Sequence, residues 1–387
     1  MKLFRTLPAR RLALLLAAVA AVAAAAAVIA VTASGGGGPT PPSRPLAQAV
    51  RDALAAPQPE GITARIAFTN RLFPSGALLG NVGSALMSGA SGRLWITNDG
   101  RGRLELQSNA GDVQLVWNGE HVTLYDASSN TVYEADLPKH GRDRGVTASV
   151  ADIAKALTGL REHASISGAE PADVAGRAAY RVTVSPKHDG GLLGSAQVAW
   201  DAARGVPLEV AIVAQGSSAP VLELKVTGIS YGPVPASDVA ISPPHGTKTV
   251  SLGSKAGKAG HEGEAAKAAV GLVAVRAVAD FPVVAPSTLV GLPRRDVRAI
   301  GNGSKTVLVA YGRGLGGIFV VERKAGPGAG TGGMLSSLPK VSVDGLTAHE
   351  LATQLGTALQ WRRRGVEFVL AGSVPPAAAE AAARDLR

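Results

Sequence analysis

The chain has 387 residues, 46% of them hydrophobic, enough for two ordinary domains with packed cores and tails. It has no cysteine, which excludes disulfides, thiolate metal sites, cysteine nucleophiles and a lipid-modified N-terminal cysteine. Its formal charge of +10 does not make it a nucleic-acid binder: Lys2, Arg5, Arg10 and Arg11 crowd the extreme N-terminus, Arg362–Arg364 is the only tight triplet, and no zinc, RNA-recognition or helix-turn-helix pattern accompanies them.

After those N-terminal cations, Leu12 to Thr32 is an uncharged Ala/Val/Leu/Ile stretch. At ~1.5 Å per helical residue it spans ~30 Å, the hydrocarbon thickness of a bilayer. The positive flank stays in the cytoplasm, so residues 1–33 are expected to be a single-pass membrane anchor with the folded part outside. The alternative is a signal peptide cleaved near Val31-Thr32-Ala33, giving a secreted product, although such peptides carry a shorter apolar core of ~7–15 residues. Residues 34–46, "SGGGGPTPPSRPL", are a Gly/Pro spacer with no capacity to pack.

A first folded domain is expected over residues 47–252. Ala47 to Ala56 predicts a short helix with Val50 and Leu54 on one side. Strands are predicted at 62–69, 92–98, 102–108, 111–117, 121–126 and 131–136, separated by turn residues such as Asn98-Asp99-Gly100 and Asn109-Ala110-Gly111. Short strands joined by tight turns make an antiparallel meander. Leu94, Ile96, Leu104, Leu106, Val113, Leu115, Trp117, Val122 and Leu124 fall on one side of it; Arg93, Arg103, Glu105 and Gln107 fall on the other, wet side. Ser149 to Arg161 predicts a helix behind a Ser cap, and strands resume at 163–168, 178–185, 195–201, 207–214 and 219–229. So many strands with so few helices imply a strongly curved sheet that wraps its own contents. Residues 70–90, "NRLFPSGALLGNVGSALMSGA", are too hydrophobic for a disordered excursion and read as a lid, bringing Phe73, Leu79, Leu86 and Met87 to the apolar side.

Residues 253–267 read as a charged low-complexity linker, and 268–387 as a smaller α+β domain. Its strands are predicted at 296–301, 305–311, 317–323, 357–363 and 366–371, with Ser373 capping a final Ala-rich helix. Within it "GRGLGG", 312–317, matches a dinucleotide fingerprint in letters but lies between two strands, so it predicts a hairpin turn with no helix to receive a pyrophosphate.

Catalytic chemistry is not legible. The histidines at 121, 140, 163, 188, 245, 261 and 349 lack metal spacing, and there is no G-x-S-x-G elbow and no P-loop. Asp201, at a strand end before "AARG", reads as a turn cap rather than a general base. Glu134 and Asp136 read as a solvated strand face. No cofactor, metal or enzymatic activity is expected.

The segments "SGRLWITNDGRGRLELQSNAGDVQLVWNGEHVTLYDASSNTVYEADLP" and "VAGRAAYRVTVSP…AQVAWDAARGVPLEVAI" resemble the LolA-like lipoprotein carriers and the N-terminal domain of RseB/MucB sigma-factor regulators. The C-terminal "LQWRRRGVEFVLAGSVPPAAAEAAARDL" and "FPVVAPSTLVGL" resemble the small domain that follows such modules in RseB-type and sporulation-associated envelope proteins. The resemblance implies an α+β fold: an unclosed antiparallel β-barrel with helices and a loop in its opening, and an apolar cavity for acyl chains. In the carriers an arginine ties the lid closed; Arg65, Arg93 and Arg103 stand here as equal candidates. The implied partners are lipid or lipoprotein acyl chains, held by an anchored carrier or chaperone. The alternative is a regulator sensing envelope lipids and acting on an anti-sigma factor or another membrane protein.

Overall fold

The computed structural model describes residues 39–72, 85, 89–109, 111–118, 120–136, 150–162, 164–187, 191–251, 269–300, 306–325 and 338–386. The apolar segment Leu12–Thr32, the linker 253–267 and the lid residues Phe73, Leu79, Leu86 and Met87 lie outside these. Among the described residues no helix is long and apolar enough to cross a membrane. The chain divides into two compact units, one taking residues 39–71, 85–187 and 194–251, the other 269–386 with Leu72 and 191–193.

The first unit is one thirteen-stranded sheet that curls into a half-barrel. Six strands follow in a meander: β1 (Gly61–Asn70), β2 (Ala90–Thr97), β3 (Gly102–Ser108), β4 (Gly111–Trp117), β5 (His121–Asp126) and β6 (Thr131–Asp136). The second run is β7 (Ala164–Ile166), β8 (Glu170–Val174), β9 (Arg177–Pro186), β10 (Leu193–Asp201), β11 (Pro207–Ala214) and β12 (Pro220–Tyr231). β12 pairs antiparallel with β1, which welds the two runs into one surface. The edges, β7 on one side and β13 (Lys248–Ser251) on the other, do not pair with each other, so the barrel is open.

Local chemistry sets the turns. Asp126 is buried at the β5–β6 turn because it accepts from Ser128 N and from the hydroxyls of Ser128 and Ser129. Between β2 and β3, Asp99 accepts from the Arg101 backbone and side chain and from the Thr97 hydroxyl, and the Thr97 bond is the main reason its carboxyl is held below the usual carboxylate range. At Gly102 a Cβ would stand 2.1 Å from the indole of Trp117 across the strand pair, so any larger residue there must displace that ring.

Two helices are described in full within this unit, α1 (Leu46–Ala55) and α2 (Val150–Arg161). Leu46, Ala49, Val50 and Ala53 repeat at helical spacing and pack α1 onto Tyr180, Val182 and Trp200. Leu54 is 63% exposed, so the expected Val50–Leu54 stripe is corrected to one rotated by a residue. The spacer is corrected too. Pro41 is buried, the Tyr180 hydroxyl donates to the Pro42 carbonyl at 2.7 Å, and Arg44 forms a β-bridge with Ala169, so residues 39–45 are docked. Prolines need no N–H partner, which lets such a strap lie on a strand surface without an orphaned donor.

Two strands of this unit depart from the sequence pattern. β8 carries Glu170, Pro171 and Asp173, which mask its alternation, and β13 pairs in parallel with β6, breaking the otherwise antiparallel order.

The second unit is an eight-stranded antiparallel sheet in the order β14 (Thr288–Leu289), β15 (Leu292–Ile300), β16 (Thr306–Tyr311), β17 (Ile318–Lys324), β21 (Val366–Gly372), β20 (Gly356–Arg363), β19 (Leu346–Thr353) and β18 (Lys340–Val343). One face packs with α3 (Leu272–Val278) and α4 (Pro376–Asp385) into a core that includes Val275, Val309, Val320, Leu370, Ala379 and Leu386. The segment between β16 and β17 is a hairpin turn with a 3-10 twist at Gly314–Gly316 and no helix behind it. Ser373 does not cap α4; its hydroxyl donates to the Leu355 carbonyl, and Pro375 stands at the N-cap position with no side-chain bond.

Candidate ligand site on the curved sheet

Residues opposite one another in registered strands share a face. The register aligns Ile62 with Ile96 and Ala64 with Leu94, then Leu94 with Leu104, Leu104 with Leu115, and Leu115 with Leu124. Beside this row run Leu106 opposite Val113 and Trp117 opposite Val122. Across β1 the same face continues through Tyr231, Ile229 and Leu224 of β12 and Val210 of β11. All nine strand residues predicted for the site therefore lie on one apolar face.

Burial grades along that face. Ile96, Leu106 and Val113 are 3%, 2% and 2% exposed and belong to a packed cluster with Ile62, Ile66 and Leu208. Leu94, Leu104, Trp117 and Leu124 are half-buried against this cluster. Leu115 and Val122 are half-buried beyond it. Ala85, within the expected lid, is fully buried in the cluster. The face thus carries close-packed positions (Ile96, Leu106, Val113) and half-buried apolar positions (Leu94, Leu104, Leu115, Leu124) side by side from β2 to β5.

The opposite face is not simply wet. Arg103 donates to the Ala240 carbonyl, pairs with Glu105 and lies 5.8 Å from the Trp95 ring centre, so the segment after β12 covers part of it. Arg65 and Arg93 sit directly opposite each other on that same side. Arg65, Arg93 and Arg103, among which the sequence singles out no lid-tying arginine, are all aimed away from the apolar face by strand alternation.

A concavity of about 550 Å³ opens at one end of this unit, between the docked strap, the β8–β9 turn and the β10–β11 turn. Asp201 organises it. Its Oδ1 accepts from Ala203 N at 2.8 Å and Arg204 N at 3.1 Å, and its Oδ2 accepts from the Tyr231 hydroxyl at 2.7 Å. Burial and this carboxylate hold the Tyr231 phenol protonated far above its ordinary range. The turn-capping role expected of Asp201 is what the geometry gives. This concavity is not legible in the sequence, because its parts come from separate turns.

The chain is similar to MucB. The structure of MucB in complex with MucA(peri) aligns over 88% of this chain and 96% of that one, at 15% identity and a TM-score of 0.39. The MucA/MucB complex of Pseudomonas aeruginosa aligns over 87% and 94%, at 15% identity and 0.38. An uncharacterized conserved protein from Thermus thermophilus aligns over 53% and 96%, at 10% identity and 0.30. No protein-family model and no curated protein matches the sequence. Function is therefore argued from this chain's own residues.

Among the described residues no group of three His, Asp or Glu side chains could hold a metal ion. His121 is exposed and pairs with Asp136 at 2.7 Å, while His349 is buried with its Nδ1 3.2 Å from the Leu338 carbonyl. His140, His163, His188 and His261 lie outside the described residues.

Proposed function

We propose that this chain is a non-enzymatic, membrane-anchored extracytoplasmic protein that binds lipid, or the acyl chains of lipoproteins, against the apolar face of its first unit. The observation that carries this reading is the half-buried row Leu94–Leu104–Leu115–Leu124, with Trp117 and Val122 beside it, extending beyond a close-packed core on an open sheet. An apolar face of that extent is costly to leave in water and gains by taking a hydrocarbon chain. Phe73, Leu79, Leu86 and Met87 complete the proposed site from the lid side. The anchor is Leu12–Thr32, which fixes the protein at the outer surface of the cell membrane.

Mass spectrometry of lipid co-purifying with residues 39–387, together with uptake of a fluorescent fatty acid, tests the reading. Bound lipid and saturable uptake are expected; a protein that carries no lipid and takes up none contradicts it.

A regulator is the second reading, in which the first unit senses acyl chains and the second engages a membrane partner such as an anti-sigma factor. The second sheet favours it. On the face away from its core, Phe319 is 44% exposed between Ala310 and Ala371, with Val321 between Leu308 and Val369 alongside. Crosslinking from residues 269–386 in cells separates the two, since a carrier needs no stable partner there.

A further inference from the structure

The lining of the concavity around Tyr231 holds three arginines, Arg44, Arg177 and Arg204, and one carboxylate, Asp201. Arg177 and Arg204 both lie over the Tyr231 ring, their guanidinium carbons 4.9 Å and 5.9 Å from its centre. Arg44 adds a third guanidinium at the rim, where it is paired with Asp52 at 2.6 Å. The one carboxylate in the lining, Asp201, already accepts two backbone N–H groups and the Tyr231 hydroxyl. Arg204 makes no ion pair among the described residues. A cation held over the ring has less freedom to lose when it binds an anion, which lowers the ordering cost of a hydrogen bond to that anion.

We propose that this concavity binds the phosphodiester of an anionic phospholipid headgroup. Phosphate geometry matches the planar donor fork of arginine, and a volume of about 550 Å³ has room for a glycerol-sized substituent beside the phosphate. The position of the strap selects a lipid over a soluble phosphate. Pro39, which lines the concavity, follows the apolar segment by only a few residues. Even a fully extended chain spans at most ~3.3–3.6 Å per residue, so the short Gly-rich stretch from Thr32 to Pro39 holds the concavity within roughly 25 Å of the bilayer surface. The choice of a lipid source rests on the anchor reading of Leu12–Thr32; the anion chemistry does not.

Acyl-free headgroups test this without interference from the apolar face. The full-length protein in a zwitterionic detergent is titrated calorimetrically with glycerophosphoglycerol, glycerophosphocholine and inorganic phosphate. Saturable binding of glycerophosphoglycerol is expected, at least tenfold tighter than the other two. It should weaken at least tenfold in Arg177→Gln/Arg204→Gln, while fatty-acid uptake and the circular dichroism spectrum stay unchanged. If that double variant does not fold, Arg177→Lys/Arg204→Lys keeps the charges, loses the fork, and is expected to lose most of the affinity. Equal binding of all three probes, inorganic phosphate that competes as an equal, or undiminished binding in the variants overturns the proposal. Cell fractionation of the same protein reports separately on the anchor, and fatty-acid uptake separately on the apolar face.

Discussion

At the scale of single residues, two buried carboxylates show how position decides behaviour. Asp201 is 3% exposed and fully partnered, so removing it orphans two turn amides and the Tyr231 hydroxyl. Asp201→Ala is expected to cost roughly 2–3 kcal/mol, read as a lower urea midpoint, whereas Asp201→Asn keeps an acceptor and should cost less. Equal stability of Asp201→Ala and the wild type would contradict this account of the hairpin. Glu322 is the opposite case. It is fully buried on the core face of β17, its Oε2 accepts from Val284 N at 2.9 Å, and its Oε1 has no hydrogen-bond partner among the described residues. Burial raises its pKa from 4.5 to about 7, opposed by the Val284 bond and Arg276. The folded state therefore holds this proton more tightly than the unfolded chain does. The stability it contributes is full below pH 4.5 and is lost as pH rises through about 7, on the order of 3 kcal/mol in all. Thermal melts should show that decline in the second unit, and Glu322→Gln should flatten it; a decline of the same size in Glu322→Gln would place its source elsewhere.

Elements are held by a few close approaches. Gly205, in the β10–β11 turn, has φ +70, and a Cβ there would stand 2.1 Å from the Ala53 carbonyl oxygen of α1. Gly205→Ala therefore meets both left-handed strain and a backbone clash, and α1 must lift from Tyr180 and Trp200. A loss of at least about 2 kcal/mol is expected, on the order of a core deletion, with faster amide exchange in α1. A stability loss without any change in α1 exchange would show that the turn and not the helix absorbs the strain. The same scale shows what the sequence can reveal. β3, β4, β5 and β6 are legible to the residue because their alternation is clean and Asn/Asp/Gly turns punctuate them. β18 and β19 escape the pattern although Asp344 and Gly345 form the tight left-handed turn of a two-residue hairpin, with φ +52 and +77; His349 and Glu350 on β19 hide its period. β13 pairs with β6 across more than a hundred residues of sequence, which no local pattern encodes. The apolar row can be read because it depends on period alone. The cationic concavity cannot, since it depends on where separate turns and a strand end meet.

At the scale of the molecule, an open half-barrel leaves part of an apolar face without a second sheet, and the account turns on whether a hydrocarbon chain occupies it. A graded face makes the question answerable. Leu106 lies in the close-packed cluster, where a carboxylate is buried unpaired and Leu106→Asp should unfold the unit. Leu115 is half-buried beyond the cluster, where a carboxylate keeps its water and Leu115→Asp should leave the fold intact. The most direct measurement is fatty-acid affinity against chain length, for the wild type and for Leu115→Asp, with circular dichroism on the same samples. Each added methylene should tighten binding to the wild type about fourfold, the equivalent of ~0.8 kcal/mol, until the face is filled. A folded Leu115→Asp protein should lose that dependence along with most of its affinity. Binding that ignores chain length, or a folded Leu115→Asp protein that takes up fatty acid as the wild type does, would contradict the assignment of this face to acyl chains.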